Sequence, residues 1–217
     1  MLLSSMQVQS NLKQAYELAY RKVCEEFRRW DPEDMAQSSG SSYDPSSGKI
    51  SLRYIDELYT VRFPSGEVCL LEKSDPVAVT VKIVLLNYLV RAGGQPLKNS
   101  WISFKEIPQG GMIYLDAFNR RIRDQLTAVF GEAPDLLLKA GASLGGKQVH
   151  CGDCGVQLQV LPRFPVTFAI WNAAEDTAPG ATVLYDATAP FYLPTEVLIE
   201  ATSFCIRQLT KAAKLAG

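Results

Sequence analysis

Val156-Gln157-Leu158-Gln159-Val160, then Val166-Thr167-Phe168-Ala169-Ile170-Trp171, then Ala181-Thr182-Val183-Leu184-Tyr185 follow one another with no helical segment between them. The first run alternates apolar and polar residues, the period of a strand with one buried face. The second is mostly apolar, and the third again reads as a strand. Strand directly after strand is the order of a segregated α+β fold. A doubly wound α/β sheet would place a helix between successive strands.

The same periodicity appears upstream. Ile50, Leu52 and Tyr54 alternate with polar residues, as do Tyr59, Val61 and Phe63. Pro64-Ser65-Gly66-Glu67 reads as a turn, followed by Val68 and Leu70, which makes a small antiparallel meander. Trp101-Ile102-Ser103-Phe104 is a further short extended segment.

Helical spacing marks the remaining segments. Leu12, Ala15, Ala19, Val23, Phe27 and Trp30 form one stripe from about Asn11 to Trp30, and Pro32 stops it. Asp75-Pro76 predicts a capped helix start, and Gly93-Gly94 its end. A helix after Gly110-Gly111 places Tyr114, Phe118, Ile122, Leu126, Val129 and Phe130 on one side and ends at Gly131. Pro134 opens a short helix that closes near Gly141. The last helix follows Pro194, with Leu198, Ala201, Cys205, Ile206 and Leu209 facing inward. The expected fold is α+β, with short antiparallel strands in two runs packed against four or five helices. One domain is expected over residues 1–217, with a mobile loop at 31–48, where Ser, Asp, Pro and Gly crowd without periodicity.

Composition excludes some functions. Lys plus Arg is 22 and Asp plus Glu is 23, for a net charge of −1. That balance lacks the basic footprint of a nucleic-acid binder. No stretch reaches the roughly 18 apolar residues of a bilayer span. The start, Met1-Leu2-Leu3-Ser4-Ser5, has no secretory pattern. The expected location is the cytoplasm, with the five cysteines as reduced thiols.

Three groups of residues could carry chemistry. In His150-Cys151-Gly152-Asp153-Cys154, two thiols stand at a spacing that can share a metal, beside the only histidine. A second Cys pair is missing, and a strand rather than a helix follows, so a Gly-rich turn explains the segment as well. The acidic group is Glu175, Asp176, Asp186 and Glu196, gathered at strand ends and a helix start, beside Trp171 and Tyr192. These carboxylates could hold a hard cation or act as acid and base. Loop solvation, and Glu196 answering a helix dipole, are the plainer alternatives. The third group is Arg120, Arg121 and Arg123, which could meet a phosphate or carboxylate or simply pair with Asp116 and Asp124 on a solvated face.

An ordered set of short motifs runs from about Lys49 to Lys211. It includes Asn87-Tyr88-Leu89 through Gly93-Gly94, Trp101-Ile102-Ser103-Phe104-Lys105-Glu106-Ile107-Pro108, Gly110-Gly111, Tyr114, Phe118, Arg120, Leu126 and Phe130-Gly131. It continues through Gly145-Gly146, Gly152-Asp153, Leu161-Pro162-Arg163-Phe164-Pro165, Trp171, Leu184-Tyr185-Asp186 and Tyr192-Leu193-Pro194-Thr195-Glu196. This set resembles the domain-of-unknown-function family 3786. The resemblance implies a source among anaerobic bacteria and archaea. Some relatives carry an added iron–sulfur domain of the kind found in corrinoid proteins, which this chain's lone Cys pair does not supply. The implied role is accessory, near corrinoid or one-carbon metabolism. The chain departs from the family after Trp171, where relatives tend to read Asp-Glu-Glu-Phe-Pro-Ala and this chain reads Asn172-Ala173-Ala174-Glu175-Asp176-Thr177-Ala178-Pro179.

Three functional expectations follow. The first is a non-catalytic ligand-binding or accessory protein of anaerobic metabolism, acting on an unknown small molecule or protein partner, with neither nucleic acid nor membrane. Its candidate binding residues are Trp171, Glu175, Asp176, Asp186, Tyr192 and Glu196. The second is a carboxylate-based enzyme, with or without a metal. The third is a metal or redox protein centred on His150, Cys151 and Cys154. No cofactor is specified by any motif.

Overall fold

The strand runs pair as two separate antiparallel sheets. The computed structural model describes residues 2–108 and 110–216. The first sheet is a meander of β1 (Ser42–Asp44), β2 (Lys49–Tyr54), β3 (Glu57–Arg62) and β4 (Glu67–Leu70), in that order. The second is built from β5 (Trp101–Ser103), β6 (Lys147–Gln148), β7 (Cys154–Leu161), β8 (Phe164–Trp171) and β9 (Gly180–Asp186), ordered β5-β9-β8-β7-β6. Every pairing is antiparallel, as consecutive strands joined by turns allow. Seven of the eight residues of β8 are buried, because strands cover both its edges and helices or side chains both its faces.

The helices are α1 (Leu2–Phe27), α2 (Pro32–Ser39), α3 (Val79–Arg91), α4 (Leu115–Phe118), α5 (Asp124–Phe130), α6 (Pro134–Ser143) and α7 (Thr195–Ala216). A π turn, Asn119–Arg123, joins α4 to α5, so the three run on as one continuous helix. Its widened hydrogen bond is donated by the Asp124 N–H to the Asn119 carbonyl.

α7 is the hub. Its buried side carries Leu198, Ala201, Thr202, Cys205 and Leu209, at helical spacing. The buried Tyr54 of β2 donates to the Ala201 carbonyl at 3.3 Å and stacks on Phe204, with ring centres 4.5 Å apart. From the second sheet, the Tyr185 hydroxyl meets Thr202 Oγ1 at 2.8 Å. The sheets also touch directly, since the Ile55 N–H at the β2–β3 turn donates to the Val160 carbonyl of β7 at 2.8 Å. One hydrophobic cluster therefore runs through both sheets and the helices between them.

Three expectations need correction. The segment 31–48 is not a mobile loop. Asp31 caps α2 by accepting from the Glu33 and Asp34 N–H groups, Pro32 fills the first turn, and Met35, Ala36 and Ser39 are buried. Ser42–Asp44 then joins the first sheet. The α1 stripe holds at Val23 and Phe27, but Ala15 and Ala19 are exposed. Tyr16, Tyr20, Val23, Cys24 and Phe27 pack inward, while Leu12 and Trp30 are about half exposed at 53% and 51%. Finally, α3 begins at Val79 with Ala78 as its uncapped boundary, because residues 75–78 lie mostly exposed and a first turn at Pro76 would bury little.

Candidate functional site

Charge is concentrated where the π-turn helix crosses α7. Ser203, Ile206, Arg207, Thr210, Lys211 and Lys214 recur at the spacings of one helical face, and that face lines a cleft of roughly 610 Å³. The opposite wall is Arg120, Arg121, Gln125 and Val129. Arg120 and Arg121 are consecutive, yet both reach the cleft at the π turn. The floor is apolar through Val129, Ile206 and the aliphatic stems of the cations.

The cations outnumber their partners. Arg121 Nη1 lies 2.7 Å from Glu200 Oε1, and Tyr16 donates to the same oxygen at 2.9 Å. This hydrogen-bonded ion pair pushes the Arg121 guanidinium further up from its usual value. Tyr16 is also raised, by burial first and by Glu200 second. Among the described residues, no carboxylate stands within 4.0 Å of Arg120, Arg207, Lys211 or Lys214. Arg207 sits over the Phe204 ring at 5.7 Å. Arg123, outside the cleft, pairs with Asp124 at 3.5 Å on the surface.

Ser203 adds a second unmet demand. Thr202 and Thr210 donate back to the Leu198 and Ile206 carbonyls, each at 2.8 Å. The buried Ser203 hydroxyl makes no such bond and has no partner among the described residues. A buried hydroxyl left unpaired costs about 1–3 kcal/mol.

The carboxylates expected to form a site do not converge. Glu175 and Asp176 are exposed on the β8–β9 turn, which the Ala174–Thr177 bridge closes. Asp186 lies at the other end of the seven-residue β9, about 20 Å away at strand rise. It is 2% exposed and accepts four hydrogen bonds: from the Lys98, Asn99 and Thr188 N–H groups and from Thr188 Oγ1. Burial pushes its carboxyl up, but those donors outweigh burial and hold it below the usual carboxylate value. Tyr192 is fully buried, stacked on Tyr88 at 5.8 Å, and donates to the Gln95 carbonyl. Trp171 is half exposed and donates to Thr182 Oγ1 at 3.2 Å. Glu196 is exposed in the first turn of α7.

His150, Cys151 and Cys154 flank a tight turn. Gly152 takes φ +65°, and a Cβ there would stand 2.6 Å from the Ile170 carbonyl oxygen. The Asp153 N–H donates to that same carbonyl, and Asp153 Oδ2 accepts from Asn172 N–H at 2.7 Å. Burial raises both thiols, with Asp135 and Asp153 adding to the rise at Cys154, whereas a reactive thiol needs the opposite shift. Among the described residues, no group of three His, Cys, Asp or Glu is placed to hold a metal ion.

Three of the residues that carried the resemblance, Tyr88, Gly94 and Arg163, meet elsewhere, where α3 and the end of α2 reach the β7–β8 turn. The Tyr88 hydroxyl donates to the Ser39 carbonyl at 2.7 Å and accepts from Arg163 N–H at 2.8 Å, while Arg163 Nη1 donates to the Gly94 carbonyl at 2.9 Å. Of the cleft, sequence reading found Arg120 and Arg121 but passed over Arg207, Lys211 and Lys214. Their i, i+4, i+7 spacing on α7 was the available signal.

Fold and site together define an α+β protein with a one-sided cationic cleft. Residues 31–208 match the family described as a domain of unknown function (DUF3786), and the chain belongs to that family. Comparison with curated proteins and with solved structures gives no match. The matched span includes the cleft from Arg120 to Arg207 and stops short of Lys211 and Lys214. No described helix is long and apolar enough to cross a membrane.

Proposed function

We propose that the chain is a non-catalytic ligand-binding or accessory protein whose small-molecule ligand seats in the cleft between the π-turn helix and α7. One observation carries this reading: five cations line a cleft of roughly 610 Å³, and a carboxylate answers only one of them among the described residues. That size falls within the roughly 300–1,000 Å³ of small-molecule sites. The lining residues include Ser203 but no His, Cys, Asp or Glu, so nothing beside Ser203 is suited to take its proton. This supports binding over catalysis. The family resemblance suggests the setting, anaerobic metabolism linked to corrinoids or one-carbon units. Five free thiols support a reducing cytoplasm as the location.

Thermal unfolding with corrinoids, haem and nucleotides, run beside an Arg120→Glu/Arg207→Glu variant, tests the proposal. A ligand at a hundred times its Kd adds about 2.7 kcal/mol. For a chain of this length that lifts Tm by roughly 5–10 °C. The expected result is such a rise in the native protein and none in the variant. No rise with any class rules out those three as ligands, and a rise that survives the charge reversal overturns the cleft as the site.

A further inference from the structure

We infer that the ligand of this cleft is an elongated amphiphile with an anionic group, carboxylate or phosphate, at each end of an apolar body. The inference rests on the cleft assignment above and adds the chemistry of what fills it.

Four of the five cations stand at two levels of α7, and Arg207 stands between them with its guanidinium over the Phe204 ring. Arg121 is held at the level of Glu200 by their ion pair, and Arg120 lies next to it. Lys214 lies in the last turn of the same helix and Lys211 about one turn before it. Eleven residues separate Glu200 from Lys211, about 16 Å at helical rise. Long side chains reach inward from both levels, but a bare phosphate is too short to touch both. Between the levels lie Ile206 and, from the opposite wall, Val129. An apolar body fits there, since a fully hydrated polyanion would leave these side chains facing its water. The paired arginines suit a planar or tetrahedral anion that accepts two parallel hydrogen bonds. The lysines, as mobile point charges, suit the other end. Ser203, whose buried hydroxyl has no partner among the described residues, also lines the cleft.

The test is displacement of 4,4′-dianilino-1,1′-binaphthyl-5,5′-disulfonate, a fluorescent dianion with an apolar body, from the full chain. Competitors are dodecanedioate, dodecanoate and tripolyphosphate. The expected result is one bound probe per chain, displaced by the diacid at least tenfold more effectively than by the monoacid or by tripolyphosphate. Arg120→Glu and Lys211→Glu/Lys214→Glu each remove one end. Each should shrink the tenfold preference to about onefold while circular dichroism and Tm stay unchanged. Replacing the diacid by 1,12-dodecylenediphosphonate tells the two end groups apart, and either winner supports a two-ended ligand. Equal displacement by monoacid and diacid overturns the inference, as does tripolyphosphate or an oligonucleotide displacing best. If the preference is absent but Arg120→Glu still abolishes probe binding, the two-ended ligand falls and the cleft assignment stands. If the probe binds and no charge reversal affects it, the cleft assignment itself falls.

Discussion

Asp186 and the Arg120–Arg207 cleft treat charge in opposite ways. Asp186 is a single buried carboxylate that accepts from four donors, three of them backbone N–H groups. The cleft gathers five cations and, among the described residues, answers one with a carboxylate. A charge whose hydrogen bonds are all made by its own chain holds the fold and has nothing left for a ligand. A charge left to solvent adds little to stability and stays free to bind. Sequence reading ranked the two the other way, placing Asp186 among the binding residues and the arginines on a solvated face.

The difference predicts which substitutions unfold the protein. Asp186→Ala should cost about 3 kcal/mol, since it strands the buried Thr188 N–H and hydroxyl and the part-buried N–H groups of Lys98 and Asn99. In thermal unfolding that is a fall in Tm of roughly 6–12 °C. A loss under a third of that would mean that the carboxylate is not a structural anchor. The pH dependence has a definite sign. The folded carboxyl is held below its unfolded value of about 3.9, so its contribution is complete above that pH. The contribution drains away as pH falls further, through the folded value. The native protein should lose stability across that acid window more steeply than Asp186→Asn. Tyr88→Phe comes next, at about 2 kcal/mol, because one hydroxyl serves both the Ser39 carbonyl and the Arg163 N–H. Urea titration measures it as a shift in midpoint at constant slope.

How far each region could be read in advance depends on the range of its interactions. Both strand runs are local signals of alternation and turn residues, and they pair as their order implies. Helix ends were harder. The same Asp-Pro signal starts α2 at Asp31-Pro32 and fails at Asp75-Pro76, where the helix begins three residues later. What separates them is burial. Met35, Ala36 and Ser39 have a place under α3 and β1, whereas residues 75–78 lie along the surface. The cleft was legible in halves. Arg120 and Arg121 stood out as a cluster, and Arg207, Lys211 and Lys214 share a helix face. Their meeting across some ninety residues is set by tertiary packing, and the π turn that presents both arginines has no pattern in a single sequence.

Glu200 lies between the two regimes. It is mostly buried, with its side chain 12% exposed, and pairs with the half-exposed Arg121. Glu200→Gln should cost about 1 kcal/mol, less than either buried anchor, because Arg121 can turn to water. The same change frees a guanidinium, so binding of the dianionic probe should strengthen a few-fold at low salt. A variant that is less stable and yet binds better marks the boundary between structural and ligand-directed charge. Weakened binding would show that Glu200 holds Arg121 in its working position.

The smallest effect on stability should come from Arg120→Glu. Its guanidinium has no carboxylate within 4.0 Å among the described residues, and its neighbours in the cleft are other cations. Reversing the charge removes repulsion from Arg121 and adds an acid beside it, which offsets the lost aliphatic packing. The net change should fall within about 0.5 kcal/mol of zero. Anion binding should fall at least tenfold in the same protein. Because Asp186→Ala loses stability and Arg120→Glu loses binding, measuring both quantities on both variants separates the two regions. If Arg120→Glu unfolds the chain as severely as Asp186→Ala, the cleft cations are structural after all, and their excess charge is balanced by contacts that form only in solution.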